Sequence, residues 1–361
     1  MKSISFKNPN SESIFKWLFR TKDELEHVVF YFLSQLNATS PRYFPLFDAT
    51  SKVRIVVLSG LRIPYSDRFF LKLYKLLLFI GKMRINRYKY VHVLSGYVIL
   101  DSPYQIMHID DPTYTSLEIA SLQNWELILN RKNLKSVVFC TNDNIKKWLT
   151  QHLRYTDIYI IEQGCFIPDF THEVSSISKI FSCAYSSPYI HTGSDLHANH
   201  GGWGANLLID QIIPAINLAD PEIEIHLIGE LGEDAMKSVK NLSNVICHGR
   251  VDFELNQKIL SKCSIGLYPR NVDFNRSMVK IFSYIGAGLP VVTFDLIDSE
   301  FIKVNSLGIC VNTVEDFVNS VLTLKNNTDQ FLETKNKVLG IRSKYSWVEL
   351  ANKMENLLDY N

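Results

Sequence analysis

A chain of 361 residues is longer than one ordinary hydrophobic core needs and suits two domains of roughly 150–200 residues each. Hydrophobic residues make up 46% and charged residues 21%, which excludes an intrinsically disordered chain. Lys plus Arg (38) nearly cancels Asp plus Glu (37), which argues against a uniformly basic nucleic-acid-binding surface.

The six cysteines are scattered and form no C-x-x-C pair. Most lie in apolar runs, as reduced core cysteines do, so a cytoplasmic setting is expected. The N-terminus is polar and has no signal-peptide core. No apolar stretch reaches the ~18–20 residues of a membrane span.

In chain order, short Val/Ile-rich runs alternate with longer amphipathic ones. Strands are predicted at 53–59, 90–95, 105–109, 136–140 and 158–161, and helices at 68–81, 116–130 and 142–152. A second cycle of the same kind follows. Its strands are 180–186, 222–228, 245–248, 264–268 and 290–294, and its helices 203–217, 234–242, 253–262, 278–286, 314–325 and 347–358. Continuous apolar strands alternating with helices imply a parallel sheet covered on both faces. The expected architecture is α/β: two doubly wound, Rossmann-like domains facing across a cleft. The domains are read as 1–170 and 171–361, with the boundary near residues 163–178, where Pro168 and a Ser-rich stretch break the pattern. The last helix is a candidate to pack back on the first domain.

Several segments of the second half share one pattern. Asn244–Val251 (Asn-Val-Ile-Cys-His-Gly-Arg-Val) is one, and Leu260–Pro269 (Leu-Ser-Lys-Cys-Ser-Ile-Gly-Leu-Tyr-Pro) another. Lys280–Val292 (Lys-Ile-Phe-Ser-Tyr-Ile-Gly-Ala-Gly-Leu-Pro-Val-Val) and Tyr345–Ala351 (Tyr-Ser-Trp-Val-Glu-Leu-Ala) complete the set, with Ile223–Gly229 as a strand closed by glycine. In this order they resemble the nucleotide-sugar domain of the GT-B glycosyltransferases, especially the retaining group called family 4. The resemblance covers roughly residues 180–360. It implies transfer of a hexose from a nucleoside diphosphate sugar, a UDP-sugar first among them, to a glycan, lipid-linked or protein-linked acceptor. No metal and no cofactor are implied, and nucleic acid is not a partner.

A diphosphate leaving group gains charge as the sugar departs. Without a metal, that charge is met by helix N-terminal amides and by Lys or Arg. Lys280 stands in the first turns of a helix expected to start near Ser277 and Met278, and Arg270 follows Pro269. The donor-binding set carried by the resemblance is Gly201, Gly202, Arg250, Arg270, Asn275, Ser277, Met278, Lys280 and Ser283. Asn275 and Ser283 stand where family 4 has two glutamates eight positions apart, so retention of configuration does not follow from the resemblance. A plain solvated lysine and a surface arginine are the bland readings of Lys280 and Arg270.

The loop Ile190–Gly204 holds His191, His197, His200 and Asp195, but their spacing matches no standard zinc signature. In the first half, Met107-His-Ile-Asp-Asp-Pro112 directly follows a strand. Asp110 or Asp111 could deprotonate the acceptor hydroxyl of an inverting enzyme, and His108 is a further catalytic candidate. Helix capping and a turn at Pro112 are the alternative roles. Residues 68–90 carry seven basic side chains and no acidic one in an apolar segment, which suits docking on an anionic membrane. A core helix with a basic edge fits equally. Two other functional readings stay open: a non-catalytic partner of an active transferase, and a sugar-nucleotide epimerase of the same fold.

Overall fold

In a computed structural model of the chain, the residues described are 11–13, 27–32, 46, 53–58, 90–94, 104–109, 135–152, 157–167, 180–192, 204–271 and 278–359. They fall into two compact units. Unit 1 comprises Met1–Gln163, Asn275–Ser277 and Trp347–Asn361; unit 2 comprises Gly164–Phe274 and Met278–Ser346. The division at Gln163/Gly164 falls at the start of the segment 163–178 that the sequence reading names for the boundary.

Unit 1 is built on one parallel sheet of β1 (Ser11–Ser13), β2 (His27–Phe32), β3 (Val53–Leu58), β4 (Tyr90–Leu94), β5 (Tyr104–Ile109), β6 (Lys135–Cys140) and β7 (Ile158–Ile160). Its strand order is β1-β3-β2-β4-β5-β6-β7. The sequence reading finds β3 to β7 and misses β1 and β2. Helix α1 (Asp143–His152) is held at its start by Asn142, whose Oδ1 accepts the Ile145 N–H at 2.9 Å. Ile145 and Leu149, one turn apart, are its buried side chains. The predicted helices at 68–81 and 116–130 lie outside the described residues.

Unit 2 contains a second parallel sheet. Its strands are β8 (Ser182–Ile190), β9 (Glu224–Leu231), β10 (Val245–Gly249), β11 (Ile265–Tyr268), β12 (Val291–Phe294) and β13 (Gly308–Val311), in the order β10-β9-β8-β11-β12-β13. The chain first steps outward from β8 to β10, then returns to lay β11 against the other side of β8. The order therefore reverses between β8 and β11, which is where open α/β sheets bind ligands, beyond the carboxyl ends of the strands.

Helix α2 leads from β8 to β9. It runs through Ala205–Leu207, a wide π-helical turn at Leu208–Ile212 and a last stretch at Ile213–Ala219. Next come α3 (Glu233–Val239), α4 (Phe253–Leu260), α5 (Val279–Gly286), α6 (Glu300–Val304), α7 (Val314–Asn326) and α8 (Thr328–Arg342). Helix α9 (Trp347–Asp359) is counted with unit 1, where Lys353 pairs with Glu162 at 2.6 Å.

Alternate residues along the strands feed two cores, as the pleat requires. Tyr185, Ile225 and Leu227 pack with Leu208, Ile212, Ile216, Phe317 and Val321 on one face. Ala184, Ile228, Ile281, Tyr284, Ile285 and Val338 fill the other.

Candidate functional site

A group of buried polar side chains lies where the pairing of β8 with β11 ends. Tyr185 is fully buried in β8, and Tyr268 closes β11. Beyond Pro269, Arg270 is only 2% exposed and its Nη1 donates to the Tyr268 hydroxyl at 3.0 Å. The bland reading of a surface arginine is thus corrected: the guanidinium is drawn into the protein by the tyrosine behind it.

Helix α5 brings Lys280 to the same place. Its ammonium donates to the Tyr185 hydroxyl at 3.3 Å and lies 4.8 Å from the ring centroid. Lys280 as a whole is half-buried, with its ammonium packed against the tyrosine ring. Burial, and then the neighbouring Arg270 charge, bring Lys280 down to about 7. Two cations held together at a strand-order reversal suit a polyanion.

The opening of α2 forms another wall. Gly204 precedes the helix in a left-handed conformation, with φ at +72°. A Cβ there would come within 2.0 Å of the Pro269 carbonyl oxygen, so only glycine allows this approach. The first amides of α2 are thereby held beside the end of β11.

Helix α5 begins at Val279 with Met278 as its N-terminal flank, and no side chain caps it. Ser277 lies outside the described residues, together with the donor-binding candidates Gly201, Gly202 and Asn275. The Ser283 hydroxyl donates to the Val279 carbonyl at 3.0 Å, a bond inside its own helix. Arg250 stands at the end of β10. Its Nη1 donates to the hydroxyl of half-exposed Tyr189 at 3.2 Å, and its guanidinium carbon is 5.5 Å from that ring's centre. Of the donor-binding candidates, Arg270 and Lys280 come together.

Sequence reasoning missed Tyr185 and Tyr268, which accept hydrogen bonds from these cations. A tyrosine in an apolar strand reads as core. For Tyr268 the available signal was its place at the carboxyl end of β11, two residues before Arg270.

In unit 1, His108 near the end of β5 is 1% exposed, with its ring 5.4 Å from that of Phe139. Burial holds it down at about 3, so it is neutral at physiological pH. It lines a cavity of about 10 Å³, room for roughly one water, together with Thr141, Gln163 and Trp347. Asp110 and Asp111 lie outside the described residues. Among the described residues, no three His, Cys, Asp or Glu side chains gather as metal ligands, and no helix is long and apolar enough to cross a membrane.

Residues 193–327 match the family described as glycosyl transferases group 1. No curated protein matches the chain by sequence. Among solved structures, a variant of S. aureus TarM in complex with fondaparinux, alpha-GlcNAc-glycerol and UDP aligns with a TM-score of 0.51 at 17% identity, over 74% of this chain and 55% of that one. The chain thus spans about half the length of TarM. Sucrose-phosphate synthase from Thermosynechococcus elongatus aligns with a TM-score of 0.60 at 11% identity, over 93% and 99%. A Listeria monocytogenes protein ascribed as a UDP-N-acetylglucosamine 2-epimerase aligns with 0.59 at 10% identity, over 91% and 95%. At these identities the likeness establishes the fold, which is that of GT-B proteins. The C-terminal half of the chain carries a glycosyltransferase domain of group 1.

Proposed function

We propose that the chain transfers a sugar from a nucleoside diphosphate sugar, a UDP-sugar first among them, to a hydroxyl of a glycan, lipid-linked or protein-linked acceptor, without a metal ion. The observation that carries this reading is the pair of buried Arg270 and half-buried Lys280, each tied to a tyrosine of β11 or β8. The TarM variant of the same fold holds UDP, which supports the choice of donor class.

The bond between the anomeric carbon and the diphosphate oxygen breaks, and the leaving diphosphate gains negative charge. Lys280 and Arg270 stabilise that charge, with the first amides of α2 beside them. The bond to the acceptor oxygen forms as its hydroxyl proton leaves. In an inverting reaction that proton passes to Asp110 or Asp111. Neutral His108 has too little basicity for the task and serves as a hydrogen-bonding group. Arg250 beside Tyr189 faces the remainder of the donor. Segment 68–90, outside the described residues, is assigned to an anionic membrane surface on the cytoplasmic side.

Isothermal titration with UDP and UDP-sugars, followed by a product assay with acceptor, tests the reading. UDP binding by the wild type, lost in Lys280→Ala together with transfer, is the expected result. Unchanged transfer in Lys280→Ala would remove the assignment. Turnover of the UDP-sugar to a free product without acceptor would favour the epimerase reading.

A further inference from the structure

Strands β8 and β11 pair for only two residues each, Cys183 with Ile265 and Ala184 with Gly266. Continued in this register, the next rung of a parallel ladder would run from the Ser186 N–H to the Leu267 carbonyl. That bond is not made. The Ser186 N–H donates instead to the Tyr284 hydroxyl at 3.2 Å, and this hydroxyl donates to the Leu267 carbonyl at 3.0 Å. One side chain, acting as acceptor and donor, satisfies both backbone groups and replaces the rung.

The ring behind the hydroxyl is fixed as firmly. Tyr284 is fully buried, and a Cβ on Gly266 would meet its ring atoms at 2.5 to 3.0 Å. Only a residue without a side chain lets the ring lie against β11. Tyr284 is also one helical turn beyond Lys280 on α5, so tying it to both strands sets where the start of α5 stands. Tyr185, the partner of the Lys280 ammonium, immediately precedes Ser186 in β8.

We propose that Tyr284 is a positioning residue for the diphosphate site: its hydroxyl stands in the place of a β8–β11 rung, keeps the two strand ends apart, and holds Lys280 over the opening. The proposal rests on the donor reading above. Without the hydroxyl, Ser186 and Leu267 are free to bond directly. The strands then close by one rung, and Tyr185 moves relative to Lys280.

The test compares the full-length wild type with Tyr284→Phe, which keeps the ring against Gly266 and removes only the hydroxyl. Titration with UDP and with inorganic pyrophosphate, below the melting temperature of both proteins, is expected to give a Kd raised tenfold or more for each ligand. A purely structural tyrosine would lower Tm and leave both constants alone, so values within twofold of the wild type overturn the proposal. Gly266→Ala provides a second route, since it drives the ring away while the hydroxyl remains; the same loss of affinity is expected, and normal affinity overturns the proposal. Failure of the wild type to bind either ligand would overturn the donor reading itself, and this proposal with it.

Discussion

The Lys280 ammonium meets Tyr185 twice, by a 3.3 Å hydrogen bond to its hydroxyl and by a position 4.8 Å from the centre of its ring. A lysine held this way, beside Arg270, is only partly protonated near neutral pH. A bound diphosphate favours the ammonium and raises its proton affinity. UDP binding is therefore strongest below about pH 7 and should weaken by up to ~tenfold per pH unit above it. Titration calorimetry from about pH 6 to about pH 9 checks this, with Lys280→Arg as the comparison, because arginine keeps its charge throughout. Equally flat profiles in the two proteins would refute the linkage.

His108 gives the opposite end of the pH scale its own prediction. Its folded value, about 3, lies below its unfolded value of 6.5, because burial resists the charge. Between those values the unfolded chain binds a proton that the folded chain refuses. Stability is thus complete above pH 6.5, falls as the pH drops through it, and stops falling below about 3. The loss is on the order of 5 kcal/mol. Chemical denaturation at neutral and acidic pH should show a smaller acid loss in His108→Gln than in the wild type.

Gly204→Ala combines two penalties. The left-handed backbone is unfavourable for alanine, and the new methyl would stand 2.0 Å from the Pro269 carbonyl oxygen. A loss of about 2 kcal/mol or more is expected. Because α2 must retreat from β11, UDP affinity should fall as well. A melting curve and a titration on the same sample separate the two effects.

Thr141→Val is expected to be nearly silent. The hydroxyl is buried and has no hydrogen-bond partner among the described residues. Replacing an unsatisfied polar atom by a methyl should change stability by less than about 0.5 kcal/mol, or raise it. Destabilisation beyond ~1 kcal/mol would show instead that a water in the small cavity beside His108 binds the hydroxyl.

Apart from β1, β2 and β13, the strands were legible in the sequence because a parallel sheet buries both faces, so these strands are short apolar runs between turn residues. Gly308–Val311 escaped because Gly-Ile-Cys-Val is short and starts with a glycine. Helix α8 escaped for a different reason. It buries only Phe331 and Val338, too sparse a stripe to register as amphipathic. Lys280 and Arg270 were found through the pattern that flanks them. Tyr185 comes from a strand 95 positions before Lys280, and no local spacing records that the two meet, whereas Tyr268 stands two residues before Arg270 but reads as the apolar end of a strand. The displaced rung between Ser186 and Leu267 is a three-body relation among β8, β11 and α5, and such relations are written only in the folded chain.

The wide turn at Leu208–Ile212 fixes the phase of α2. A π-turn holds one residue more than an α-turn, and each residue added to a helix rotates what lies ahead of it by ~100°. Downstream, Ile212, Ile213 and Ile216 anchor the helix to the core. Upstream, Gly204 must meet Pro269 edge to edge. Removing a single residue from this turn would leave every apolar contact chemically possible, yet it would swing the head of the helix about a quarter-turn away from the strand it guards. The length of this segment is therefore under as strict a constraint as its composition, and an insertion or deletion here should be far more damaging than a substitution.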